Sequence, residues 1–172
     1  MAKDQQPRLR TSALEKPLHI VLVEPEIPQN TGNIARLAAA TQSRLHLVGT
    51  LGFQIDEKAV RRAGLDYWHL VDLQTHTDFD ACRASLSGSR FFFFSAIGKK
   101  SYLQAAYQPG DALVFGKESK GLDDALLARF PDDIYGIPTL GAVRSLNLAN
   151  AASIVVYEAL RQIGALDDPH LG

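Results

Sequence analysis

The chain has 172 residues, 46% of them apolar and 22% charged, with a formal net charge of −1. That is the composition of one globular domain with a real core and excludes a disordered chain, while near-neutrality argues against a protein that coats nucleic acid. No apolar run reaches the roughly 18 residues of a membrane span, Met1–Lys16 lacks the apolar stretch of a signal peptide, and the single cysteine, Cys82, excludes an intrachain disulfide, so a reducing, cytoplasmic setting is expected.

In chain order, 1–17 reads as a loose extension ending at Pro17. Leu18–Val23 is a short strand of the buried type, and Pro28 and Asn30 open a helix with Ile34, Leu37, Ala38 and Thr41 along one face. Arg44–Val48 reads as a strand, Asp56–Arg62 as a short helix ended by Gly64, Tyr67–Val71 as a strand, and Asp78–Leu86 as a helix closed by Gly88. Arg90–Ser95 is apolar on both faces, which suits the middle of a parallel sheet. Ala112–Phe115 is another strand, followed by Gly116 and a helix from Asp123 to Phe130. Ile134–Ile137 is the last strand, Ser145–Gln162 the longest helix with Gly164 as its stop, and 163–172 a tail. Strands alternate with helices throughout, so the expected class is α/β, a single domain over 18–162 with a mostly parallel sheet.

In such sheets ligands bind beyond the carboxyl ends of the strands, which directs attention to the loops there. The first, Glu24 to Asn33, is stiffened by Pro25 and Pro28 and leads to Arg36, about 1.7 turns beyond Asn30. The second, Ser95 to Lys100, is a basic turn. The third, Phe115 to Leu122, sets Glu118 between two lysines and two glycines. It is neither a Walker loop nor a dinucleotide fingerprint, so neither ATP nor a dinucleotide is indicated. The fourth, Ile137 to Asn150, feeds a helix whose start carries Ser145, Asn147 and Asn150. Caps account for one such residue, not for three, and Asn147 and Asn150 share a helix face among apolar neighbours, so their amides are expected to have partners. The histidines His19, His46, His69, His76 and His170 show neither HxH nor HxxxH spacing, so no metal site is expected.

Taken together, NTGNIAR, FGKESKGL and IPTLGAVRSLNLANAASIVVYEALR resemble the three motifs of the SPOUT class of RNA methyltransferases, and the resemblance covers about 18–162. EPEIPQNTGNIARLAAAT and RRAGLDYW are similar to the small bacterial members that act on tRNA. The resemblance implies S-adenosylmethionine held in a C-terminal deep trefoil knot, by Phe94, Gly116, Ile137, Leu140, Ser145 and Leu146. It further implies methyl transfer to the ribose 2′-hydroxyl of the wobble nucleotide, cytidine or modified uridine, in the tRNA anticodon stem-loop. Arg36, Asn30, Glu118, Ser145 and Asn147 are the implied catalytic set, without a metal, in a homodimer that shares its RNA between subunits. Lys117, Lys120, Ala149 and Gln42 depart from residues common at these places, and none of them removes the implied cofactor site. The alternatives weighed beside this reading are a 2′-O-methyltransferase for another tRNA or rRNA site and a non-catalytic RNA-binding module of the same fold.

Overall fold

In the computed structural model, which describes residues 6–55 and 67–172, the apolar runs become short parallel strands. These are β2 (His19–Val23), β3 (Arg44–Val48), β4 (Leu73–His76), β5 (Phe91–Phe94), β6 (Lys100–Ser101), β7 (Ala112–Phe115) and β8 (Ile134–Gly136). They form one sheet in the order β4-β3-β2-β7-β5-β8-β6, every neighbouring pair parallel. β5 and β7 are buried at every position, as strands covered on both faces must be.

The alternation of side chains along the strands sorts the core into two layers. Ile20, Leu22, Leu45, Leu47, Phe92, Leu113 and Phe115 face α1 (Pro28–Thr41) and the longest helix, α4 (Leu148–Gln162). Val21, Val48, Phe91, Phe93 and Val114 face α2 (Phe79–Ser85) and α3 (Asp124–Ala128). α2 starts where Asp78 accepts a hydrogen bond from the Ala81 N–H at 2.8 Å. The single-domain α/β reading therefore holds.

Three details differ from the sequence reading. Tyr67–Val71 is not a strand: Trp68–Leu70 is one turn of 3₁₀ helix, and the edge strand begins at Leu73. The cause is the Tyr67 hydroxyl, which donates to the Gly32 carbonyl at 2.9 Å and draws this segment over α1, away from the sheet. The longest helix starts at Leu148, not Ser145, because Asn147 is its cap. The two ends are also tied: β1 (Leu9–Arg10) pairs antiparallel with β9 (His170–Leu171). The helix expected at Asp56–Arg62 lies outside the described residues.

The connection from β5 to β6 positions the site. β8 lies between these two consecutive strands, so 95–99 must pass across its end. The crossing is close enough that a Cβ on Gly98 would fall 2.3 Å from the Tyr135 carbonyl carbon. On the α2 side, His19, His46 and His76 stand in a row across β2, β3 and β4, each ring 3.0 Å by nitrogen from the next. Burial holds all three below the usual histidine value, and His46 is pushed down to about 3 by burial first and then by its neighbours His19, His76 and Arg44.

Candidate functional site

The carboxyl ends of β5, β7 and β8, with the loop leading from β2 into α1, surround one cleft of about 1330 Å³. Of the residues expected there, Asn30, Phe94, Gly116, Glu118, Ile137, Ser145, Leu146 and Asn147 all line it. Two do not. Leu140 is fully exposed outside the cleft. Arg36 lies on the exposed face of α1, its guanidinium 5.7 Å from the centre of the Tyr67 ring.

Three of the lining residues form one hydrogen-bonded brace. The first turn of α1 has no acidic side chain and no capping side chain of its own, so its positive dipole end favours an outside anion just before the helix. Glu118 supplies it from across the cleft, accepting from the Glu26 N–H (2.7 Å), the Ile27 N–H (3.0 Å) and the Asn30 amide (3.3 Å). The Asn30 carbonyl in turn accepts from the Asn147 amide at 3.0 Å. The other end of Asn147 accepts from the Ala149 N–H (2.9 Å) and the Asn150 N–H (3.3 Å) at the start of α4. One carboxylate and two amides thus lock the starts of α1 and α4 together. Asn150, expected to share this environment, is exposed.

A reciprocal bond closes the same loops. Glu26 accepts from the Ser119 hydroxyl (2.6 Å) and N–H (3.0 Å), and these bonds hold its carboxyl below the ordinary value. Lys117 pairs with Glu24 at 2.9 Å, which raises the lysine. The loop after β2 and the loop after β7 therefore hold each other by three carboxylates, Glu24 and Glu26 from the first and Glu118 from the second. The residue spacing gave no sign of Glu26, Ser119 or the Tyr67 ring under Arg36, because each bond joins segments far apart in the chain.

Where these loops meet, backbone replaces side chain. A Cβ on Gly116 would lie 2.1 Å from the Gly121 carbonyl carbon, so only glycine lets the turn close, with the Gly121 N–H donating to the Lys117 carbonyl at 2.8 Å. Lys99, Lys120 and Arg144 stand exposed on the rim, giving the cleft a basic edge on a near-neutral body.

The brace makes a separable prediction. Asn147→Ala removes the cap and leaves Asn30 short of a partner, and is expected to cost about 1–2 kcal/mol of stability. Asn147→Asp keeps the cap acceptor and loses only the donor to Asn30, so its unfolding temperature should stay closer to the parent's. Equal thermal unfolding of the two variants would show that the cap is not what Asn147 contributes.

Among known proteins, the SpoU rRNA Methylase family pattern matches residues 17–157. The tRNA (cytidine(34)-2′-O)-methyltransferase of Methylovorus glucosotrophus is 46% identical over 144 residues, covering 83% of this chain and 94% of that protein. A solved structure concerning the 2-OH methylation of C/U34 on tRNA superposes with a TM-score of 0.80 at 51% identity, over 86% of this chain and 96% of that one. An AdoMet-bound rRNA methyltransferase from Sinorhizobium meliloti superposes with a TM-score of 0.73 at 26% identity, over 88% of this chain and 61% of that one.

Proposed function

Since the chain belongs to the SpoU methylase family, we propose that it transfers a methyl group from S-adenosylmethionine to the ribose 2′-hydroxyl of the nucleotide at position 34, the wobble position of the tRNA anticodon. The observation that carries the reading is that the residues of three separate motifs, Asn30 and Glu118 and Asn147 among them, meet in one braced cleft.

The cleft fits the cofactor. Small-molecule pockets run to roughly 300–1,000 Å³, so a volume of about 1330 Å³ holds S-adenosylmethionine and leaves space for a ribose beside it. Gly116 keeps the backbone open where a Cβ would fill the turn, and Ile137 and Leu146, both half-buried, give an apolar wall for adenine. Bound there, the sulfonium supplies a methyl group that is already activated, so the transfer calls for positioning and for management of one proton, and for no metal.

Glu118 already accepts three hydrogen bonds, which makes it a positioning residue for Asn30 and the α1 start. Asn147 positions the α4 start in the same way, and Ser145 presents its hydroxyl at the exposed rim. A guanidinium offers donors and no acceptor, so Arg36 is not read as the base. Its role is to hold the substrate phosphate or the 2′-oxygen as negative charge develops there.

We take 18–162 as the methyltransferase domain, flanked by 1–17 and 163–172. The segment from β8 to α4 is read as threaded through the 95–99 loop in a trefoil knot, which the tight passage of Gly98 against Tyr135 and Gly136 supports. A crystal structure with an unthreaded path would end this. Exposed Ile27, Val143, Ile154 and Tyr157 support a homodimer. Among the described residues no helix is long and apolar enough to cross a membrane, and a tRNA substrate supports a cytoplasmic setting.

The test is direct. The purified protein, S-adenosylmethionine and tRNA from a strain lacking the enzyme should yield ribose methylation at position 34 by mass mapping of nuclease fragments. Replacing that nucleotide by its 2′-deoxy form should abolish the product. Methyl transfer elsewhere, with none at position 34, would overturn the assignment, and light scattering of the same sample showing single chains would remove the dimer.

A further inference from the structure

The row of imidazoles on the α2 face lies away from the cleft, and none of its members lines that cleft. His46 in β3 is fully buried, as is Cys82 in α2, and His76 is half-buried at the end of β4. The ligand atoms of His46, His76 and Cys82 all lie within 4.8 Å of one another. The facing nitrogens, His46 Nδ1 and His76 Nε2, are only 3.0 Å apart.

We propose that His46 Nδ1, His76 Nε2 and Cys82 Sγ form a binding site for one zinc-class divalent ion, which fastens the edge strand β4 to β3 and to α2. Two imidazole nitrogens each about 2.0–2.1 Å from a tetrahedral zinc lie roughly 3.3 Å apart, and the observed separation is close to that. A tetrahedral site sets sulfur and nitrogen roughly 3.5 Å apart, and the sulfur already lies within 4.8 Å of both nitrogens. Two imidazoles and a thiolate favour zinc over calcium or magnesium, which prefer oxygen donors.

His19 stands behind His46 as its outer partner. A zinc-bound imidazole gives its second N–H to an outer partner, which fixes its tautomer. His46 has that partner: its Nε2 lies 3.0 Å from His19 Nδ1, and His19 is itself 6% exposed. With the ion on Nδ1, His46 must carry its proton on Nε2 and donate to His19. The half-exposure of His76 leaves an approach for the ion and a fourth position for water.

Without an ion, the same row is a chain of neutral rings passing hydrogen bonds from one to the next. The experiment separates these states in the full-length protein. Chelator-treated protein is titrated with Co²⁺ and with Zn²⁺, following absorbance, bound metal per chain and thermal unfolding. We expect one ion per chain, a thiolate-to-cobalt charge-transfer band in the near ultraviolet, and a higher unfolding temperature with Zn²⁺. Cys82→Ser should abolish the band, His76→Gln should weaken binding at least 10-fold, and His19→Asn should weaken it about 10- to 100-fold, as outer partners do. Circular dichroism confirms that each variant is folded, and unchanged S-adenosylmethionine binding by His76→Gln keeps this result separate from the methyl-transfer reading. No charge-transfer band, or metal binding in Cys82→Ser and His76→Gln that matches the parent's, would overturn the proposal.

Discussion

Replacing Arg36 by alanine is expected to lower methyl transfer about 10²- to 10³-fold, the usual effect of removing one donor aimed at developing negative charge. S-adenosylmethionine affinity should stay within about twofold of the parent's, because Arg36 does not line the cleft. Stability should hardly change either. The guanidinium lies over the Tyr67 ring at 5.7 Å on an exposed face, and an exposed contact of this kind is worth roughly 0.5–1 kcal/mol. A loss of several kcal/mol from the barrier with less than one from folding is the mark of a residue used in the reaction rather than in the core. Arg36→Lys restores the charge and not the planar fork, so it should recover only part of the rate. Near-parental turnover by Arg36→Ala would remove Arg36 from the reaction altogether.

The legible parts of the fold share one cause. β2, β3, β5 and β7 are nearly continuous apolar runs because the sheet is covered on both faces, and a run such as FFFF has no other stable place. β4 and β6 are edge strands with partly exposed, polar residues such as Gln74 and Lys100, and nothing local distinguishes them from loop. The start of α4 escaped for another reason. Ser145 and Leu146 suit a first helical turn as well as a lead-in, and the choice is made by the bond from Asn147 to Asn30, a residue 117 positions away. The site followed the same division. Its motifs could be recognised, yet the Glu26–Ser119 clasp is a tertiary fact. The histidine row is further still from any local pattern, since its members stand 27 and 30 residues apart and meet only through strand order.

Gly116→Ala is expected to be the most damaging single methyl group that can be added at this site. The new Cβ would lie 2.1 Å from the Gly121 carbonyl carbon and 2.2 Å from the Leu122 nitrogen, both backbone atoms that cannot turn aside as a side chain would. The 117–121 loop must then move outward. It cannot do so freely, because Lys117 is paired to Glu24, Ser119 is bonded to Glu26, and Glu118 holds the start of α1. Overpacking alone costs typically about 1–3 kcal/mol, and each bond to a charged group that breaks adds roughly 1.5–3 kcal/mol. A loss of about 3 kcal/mol or more follows, roughly 6–12 °C in unfolding temperature for a domain of this size, with S-adenosylmethionine affinity down at least about 100-fold because the displaced backbone walls the cleft. Two other glycines calibrate the result. Gly121 has open space around its missing Cβ but a φ of +69°, so alanine there should cost only the left-handed strain of about 1–2 kcal/mol. Gly141 has open space and no such φ, and its alanine variant should unfold like the parent. Calorimetric unfolding and cofactor titration of the three variants should therefore rank Gly116→Ala far below Gly121→Ala, and Gly121→Ala below Gly141→Ala. A Gly116→Ala protein with parental stability and affinity would mean that the turn has room to spare, and that the close backbone approach is not what shapes the cofactor site.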